Sequence, residues 1–163
     1  MVDSINHSFR VYNNYMHNRP YFIINVEAAI HDGSKFLLIR RSKNEDHSAG
    51  TLSLVGGKVD HMACSPLALE TTLRREVYEE VGLQLGAMNY VESKSFIMDT
   101  GEWCLSICFY CQDFTGHASI KSPQEVDEVL WLTQAELDAN PACPPWTKQS
   151  IAAVVRDYSD PKK

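Results

Sequence analysis

The stretch from Ser65 to Leu83 leaves this chain the least freedom. Ser65 before Pro66 reads as a helix N-cap followed by the residue best tolerated at the first helical position. Gly82 supplies the left-handed residue that ends a helix, and Leu83 can pack back on its last turn. The spacing predicts a helix from Pro66 to Val81. With Glu76 as zero and about 100° per residue, Glu79 falls near −60° and Glu80 near +40°. On the same count Leu73, Val77 and Val81 fall at about +60°, +100° and +140°. Three carboxylates therefore share a face that adjoins the apolar stripe rather than opposing it.

Glu79 and Glu80 sit in the last turn, where the helix dipole disfavours anions by about 0.3–1 kcal/mol each. Carboxylates at i, i+3 and i+4 also repel one another. Only nearby cations can offset this. Arg74 and Arg75 are two candidates and a divalent metal is another, because carboxylate oxygens suit a hard ion such as Mg2+. Charge runs on helices usually mean solvent. Here the dipole conflict and an upstream glycine pair weigh against that reading. Leu52-Ser53-Leu54-Val55 reads as a short strand, after which Gly56-Gly57 lets the backbone turn sharply and approach a ligand closely. Such a loop can aim a carbonyl at a metal or an amide at a phosphate.

The segment resembles the signature of the Nudix hydrolases: Gly, five residues, Glu, seven residues, then Arg-Glu-aliphatic-x-Glu-Glu-x-Gly-aliphatic. Arg75-Glu76-Val77-Tyr78-Glu79-Glu80-Val81-Gly82-Leu83 matches its second half at every specified position. Gly56-Gly57-Lys58-Val59-Asp60 matches its start. Two departures stand out. Ala63 occupies the position of the first Glu, and the connector is four residues longer than the pattern. Asp60 and Glu70 are the candidates for the missing carboxylate. The resemblance implies that Glu76, Glu79 and Glu80 hold Mg2+ or Mn2+, with the Gly56 carbonyl beside them. It implies that one glutamate, with Glu76 the first candidate, orients the attacking water instead, and that Arg75 holds the glutamates by ion pairing. The implied reaction is attack by water on a phosphorus of a diphosphate, in which a metal neutralises charge and lowers the pKa of bound water.

The chain has 163 residues, ample for one core, with 44% hydrophobic and 22% charged residues. A net charge of −6 argues against a protein built to coat nucleic acid. It leaves room for an anionic small substrate, since a local metal site can dominate. No apolar run approaches the ~20 residues needed to span a bilayer. Met1 to Asn6 lacks the basic start and apolar core of a signal peptide. A cytoplasmic location is expected, and a homodimer is among the expected assemblies. Cys104, Cys108 and Cys111 are spaced somewhat like iron–sulfur ligands. On a strand, however, Cys111 faces away from the other two, so reduced, buried thiols are expected.

Residues 1–20 read as a peripheral segment in which Phe9, Tyr12 and Met16 share a face. Residues 21–158 read as a single domain and 159–163 as a loose tail. Tyr21–His31 and Lys35–Arg41 read as two strands of a hairpin around an Asp32-Gly33-Ser34 turn. Arg40 and Arg41 end that hairpin on opposite faces, and one of them is expected to meet a phosphate. Leu83–Ile97 reads as a strand broken at Gly86, antiparallel to a strand over Trp103–Asp113. Val129–Leu132 is a further strand. Thr133 caps a short helix through a capping box with Glu136. A final helix spans Trp146–Asp157, with Ile151, Val154 and Val155 toward the core.

The sum is an α+β fold, an α/β/α sandwich with a mixed sheet, and the resemblance to Nudix proteins covers roughly residues 21–157. It also implies one more acid from the loop before the strand bearing Trp131, with Glu125 the first candidate and Asp127 and Glu128 as competitors. Two function classes are expected. The first is a metal-dependent hydrolase of a nucleoside diphosphate derivative: a nucleoside triphosphate, ADP-ribose, a dinucleoside polyphosphate or a nucleotide sugar. The second is a non-catalytic nucleotide sensor of the same fold. An isoprenoid diphosphate isomerase ranks third. Glu76, Arg75 and Glu125 are the catalytic candidates. Arg40, Arg41 and Gly57 are the substrate-binding candidates. Phe22, Phe96 and Trp103 can stack a base, though such residues more often fill a core.

Overall fold

A computed structural model describes residues 21–45, 47–60 and 66–158. The expectations for residues 1–20, for Ala63 and Ser65, and for the tail lie outside the described residues.

Among the described residues, nine strands and three helices follow in the order β1 (Phe22–Ile30), β2 (Phe36–Arg41), β3 (Leu52–Ser53), β4 (Val55–Lys58), α1 (Ala68–Val81), β5 (Gln84–Leu85), β6 (Asn89–Ile97), β7 (Trp103–Cys111), β8 (Phe114–Thr115), β9 (Val126–Leu132), α2 (Gln134–Ala139) and α3 (Pro145–Tyr158). One sheet has the order β4-β1-β7-β6 and a second the order β3-β2-β9. β5 and β8 form a short separate pair. In the larger sheet β1 runs parallel to β7 and antiparallel to β4, so the sheet is mixed.

The two faces of β1 and β7 feed two cores. Val26, Ala28 and Ile30 pack with Ile107, Phe109 and Cys111 under Leu73, Val77 and Val81 of α1. On the opposite face Ala29, Cys108 and Tyr110 pack with Leu137 of α2 and Ile151 and Val154 of α3. Helices on both sides of strands that alternate apolar residues to each face make the α/β/α sandwich. Cys111 thus faces away from Cys104 and Cys108. All four described cysteines are free and buried, and burial pushes the Cys111 thiol up to about 12.

Several details differ from the sequence reading. First, β1 and β2 are not hairpin partners: only the isolated bridge between His31 and Phe36 joins them, and they enter different sheets. The reason is competition, because β4 and β7 occupy both edges of β1. The turn itself holds, with the Asp32 carboxylate accepting from the Ser34 and Lys35 amides at 2.8 Å each. Second, the stretch Leu52–Val55 divides at Leu54, giving β3 to one sheet and β4 to the other. Third, α1 starts at Ala68 rather than Pro66, since Leu67 adopts a left-handed conformation (φ 59°) outside the helical region. Fourth, β9 begins at Val126, three residues earlier than expected. The end of α1 matches its signals: Gly82 has φ 77° and Leu83 is buried. The capping box of Thr133 and Glu136 is also present.

Gly56 and Gly57 lie inside β4 rather than at a sharp turn. What they supply is space. A Cβ on Gly56 would fall 2.0 Å from the Val26 carbonyl oxygen of the neighbouring strand, a backbone atom that cannot move aside cheaply. Gly56→Ala is expected to cost about 3 kcal/mol or more. That lowers the melting temperature by roughly 6–12 °C. An unshifted thermal melt would mean that β4 has room beside β1.

Candidate active site

α1 carries its carboxylates to the edge of the larger sheet, above β4. Leu73, Val77 and Val81 fix its rotation by full burial, and that rotation places Glu76, Glu79 and Glu80 in three different environments. Glu79 is half exposed, Glu76 is largely covered, and Glu80 is buried. Glu76 lies across Gly57, where an added Cβ would fall 2.4 Å from the Glu76 carboxyl carbon. The glycine therefore exists to admit this carboxylate.

Arg75 sits at the centre of the acids. Its guanidinium donates to Glu76 Oε1 at 2.7 Å, to Glu79 Oε2 at 2.8 Å and to Asp60 Oδ1 at 3.2 Å. Of the two candidates for the missing carboxylate, Asp60 is thus brought to the cluster. Glu70, in the first turn of α1, has no ion pair among the described residues. Glu80 receives nothing from Arg75. Its Oε2 is buried without a hydrogen-bond partner among the described residues. Burial, followed by repulsion from Glu76 and Glu125, pushes its carboxyl up to about 9, against a smaller opposing pull from Arg41. Burial also raises Glu76, with Arg75 opposing it.

The remaining candidates approach from the loops. Glu125 is exposed, accepts from Ser122 Oγ at 2.7 Å, and raises both Glu76 and Glu80 electrostatically. Its backbone carbonyl accepts from the Ser42 amide just beyond β2. Arg40 and Arg41 meet different partners on either side of a register shift in β2. Arg40 is held by Glu128 at 2.9 Å and by the Gly50 carbonyl. Arg41 pairs with Glu45 and donates to the His47 carbonyl, and its charge acts on Glu80. Of the two, Arg41 is the one brought to the carboxylates. Phe22, Phe96 and Trp103 are not core residues: each is about two-fifths exposed, with Phe22 and Trp103 in contact at 5.9 Å between ring centroids.

Among the described residues, no three His, Cys, Asp or Glu side chains converge tightly enough to cage an ion. The guanidinium of Arg75 draws Glu76 and Glu79 toward itself, which accounts for that spread. The donor set nonetheless suits a hard divalent cation. It consists of oxygens only, and the buried orphan on Glu80 is a group that a cation would satisfy.

Sequence reasoning missed one acid. Glu27 on β1 pairs in register with Gly56, accepts from Ser106 Oγ at 2.9 Å, and feels the charge of Arg41. Its signal was present in the sequence: Asn25 and Glu27 alternate within an otherwise apolar strand.

A mixed-sheet sandwich with an acid-lined helix face above a glycine strand suits a metal-assisted hydrolase of an anionic substrate. Comparison with known proteins agrees. The model of the NUDIX domain matches residues 22–154. The structure of the MutT NUDIX hydrolase from Burkholderia pseudomallei is similar with a TM-score of 0.71 and 25% identity, covering 82% of this chain and 98% of that one. The MutT protein from Methanosarcina mazei Go1 gives 0.73 and 26%, covering 88% and 99%. The NUDIX domain of Shewanella oneidensis NrtR, solved in complex with ADP ribose, shares the fold at 20% identity and a TM-score of 0.67, covering 88% and 96%. No curated protein sequence matches the chain significantly. The chain belongs to the Nudix family and is a Nudix-type pyrophosphohydrolase. The family generally cleaves nucleoside diphosphate derivatives and generally uses divalent metals such as Mg2+.

Proposed function

We propose that this enzyme uses Mg2+, with Mn2+ as a substitute, to hydrolyse the pyrophosphate linkage of a small nucleoside diphosphate derivative. The observation that carries the metal is Glu80: among the described residues it is a buried, unpartnered carboxyl next to two further acids, which can ionise only with a cation at hand. Glu76, Glu79 and Glu80, with the Gly56 carbonyl, would hold it. When bound, the cation neutralises the diphosphate, lowers the pKa of the attacking water and stabilises the leaving oxygen.

The chain's own residues do the rest. Arg75 holds Glu76 and Glu79 in position while leaving Glu80 unneutralised. Glu76, largely covered and pinned over Gly57, orients the water and accepts its proton. Glu125 approaches from the facing loop as a second acid. Arg41 meets a phosphate oxygen, and the Gly57 amide contributes a donor from β4. Arg40, tied to Glu128, shapes the neighbouring loop. No described helix is long and apolar enough to cross a membrane. A cytoplasmic enzyme without a nucleic-acid partner fits this reading and the net charge of −6.

The test is phosphate release from a panel of nucleoside triphosphates, ADP-ribose, dinucleoside polyphosphates and nucleotide sugars. At least one member is expected to turn over in Mg2+ and none after chelation. Tight binding of one member with no turnover of any in Mg2+ or Mn2+ would overturn the proposal.

A further inference from the structure

The face of the larger sheet turned away from α1 carries two rows of polar side chains where a core is expected. In register across the strands, Asn25, Ser106 and Lys94 form one row, and Glu27, Cys108 and Glu92 form the next. Buried polar groups cost free energy unless they are partnered, so this set requires a reason. Part of it is structural. Lys94 Nζ donates to the Trp146 carbonyl at 3.1 Å and to Ser150 Oγ, and pairs with Glu92 at 3.2 Å, which fastens the start of α3 over the sheet.

Glu27 is different. Asn25 Nδ2 donates to Ser106 Oγ at 3.3 Å, and Ser106 Oγ donates to Glu27 Oε2 at 2.9 Å. This short relay orients the carboxylate and uses one of its oxygens. Oε1 makes no hydrogen bond among the described residues. A carboxylate oriented by two neighbours, with one oxygen unbonded among the described residues, is positioned to accept a further hydrogen bond. Glu27 lies near the catalytic acids: it sits opposite Gly56 on β4, and the charge of Arg41 acts on both Glu27 and Glu80. His47 Nδ1 meets Asp99 Oδ2 at 2.9 Å, joining the loop after β2 to the β6–β7 turn.

We propose that Glu27, positioned by Ser106 and Asn25, is a specificity-determining residue that accepts a hydrogen bond from an amino-bearing heterocycle on the substrate. This inference rests on the hydrolase reading and names which nucleotides it concerns. A fixed acceptor selects bases with an exocyclic amino group, such as adenine, cytosine or guanine, over oxo analogues that lack it. The oxo group would set an oxygen lone pair against the carboxylate. A site built to bond a substrate NH rejects an analogue without it far more strongly than an apolar pocket rejects a missing methylene.

The experiment compares kcat/KM for three pairs that differ in the amino group: ATP with ITP, GTP with ITP, and CTP with UTP. At least one pair in the wild type is expected to favour the amino base by about tenfold or more. In Glu27→Gln, whose amide offers a donor as well as an acceptor, that ratio is expected to fall to within about threefold of unity. Ser106→Ala, which frees the carboxylate to rotate, is expected to reduce it partially. Calorimetric binding of AMP, IMP, CMP and UMP to the same three proteins is the second readout, independent of turnover. Equal handling of every pair by the wild type, or a ratio unchanged in both variants with melting temperatures intact, overturns the inference. If no triphosphate is hydrolysed but AMP is preferred over IMP only when Glu27 is present, the hydrolase reading fails and the specificity assignment stands.

Discussion

Glu80→Gln is expected to lower Mg2+-dependent turnover by about 100-fold or more, the scale of losing a key charge-stabilising group. The substitution keeps the shape and removes the charge, so turnover reports electrostatics. Stability should move the other way when metal is withheld. The wild-type Glu80 carboxyl is pushed from 4.5 up to about 9 in the folded chain. Between those values the folded state holds a proton that the unfolded state has released. Stability is therefore present at acid pH and is lost as pH rises through that window. Melts in chelator should show the wild type weakening toward pH 9 and the Gln variant staying several degrees flatter. Adding Mg2+ should stabilise the wild type and leave the variant nearly unchanged. Full turnover by the variant would remove Glu80 from the metal site.

Gly57→Ala is expected to lower kcat by about 100-fold through a displacement of roughly 1 Å. The clash it creates is with the Glu76 carboxyl, the far end of a flexible side chain, at 2.4 Å. That group can swing away, so the melting temperature should change by only a few degrees while the position of the catalytic acid is lost. The adjacent Gly56→Ala meets backbone and should show the opposite balance, a large loss of stability. Steady-state kinetics and melts on the two variants separate the roles. A Gly57→Ala enzyme with normal kcat would show that Glu76 needs no fixed position.

The elements nearest the acids were the most readable from sequence, because their signals are local. Gly82 and Leu83 ended the helix where the chain says they should, and Thr133 with Glu136 wrote a complete capping box. The periodicity of Leu73, Val77 and Val81 gave the rotation that puts Glu80 beside the core. Pairing was harder to read, because a strand's neighbours are chosen by competition across the whole chain. The adjacency of β1 and β2 suggested a hairpin, but β4 and β7 hold β1 from both sides. The glycine pair was recognised as special, but the sharp turn is absent: inside β4 the pair admits close packing, and that depends on what approaches from other strands. Ser53, whose hydroxyl is buried without a partner, gave no local signal at all. Glu27 was overlooked because a single acid in an apolar strand gains meaning only once Ser106, from far along the chain, comes alongside.

The division of one stretch between two sheets sets a limit on how the enzyme adapts. Only Leu54 separates β3 from β4, and Leu54 is itself buried. A single anchored residue acts as a stiff seam, so the two sheets tilt together or not at all. The framework that carries Glu76, Glu27 and Arg41 behaves as one rigid block. Accommodation of longer or shorter substrates is therefore expected of the connecting segments, the loop after β2 and the one between β8 and β9. Chimeras that exchange those segments should alter which diphosphates are accepted without disturbing the chemistry beneath.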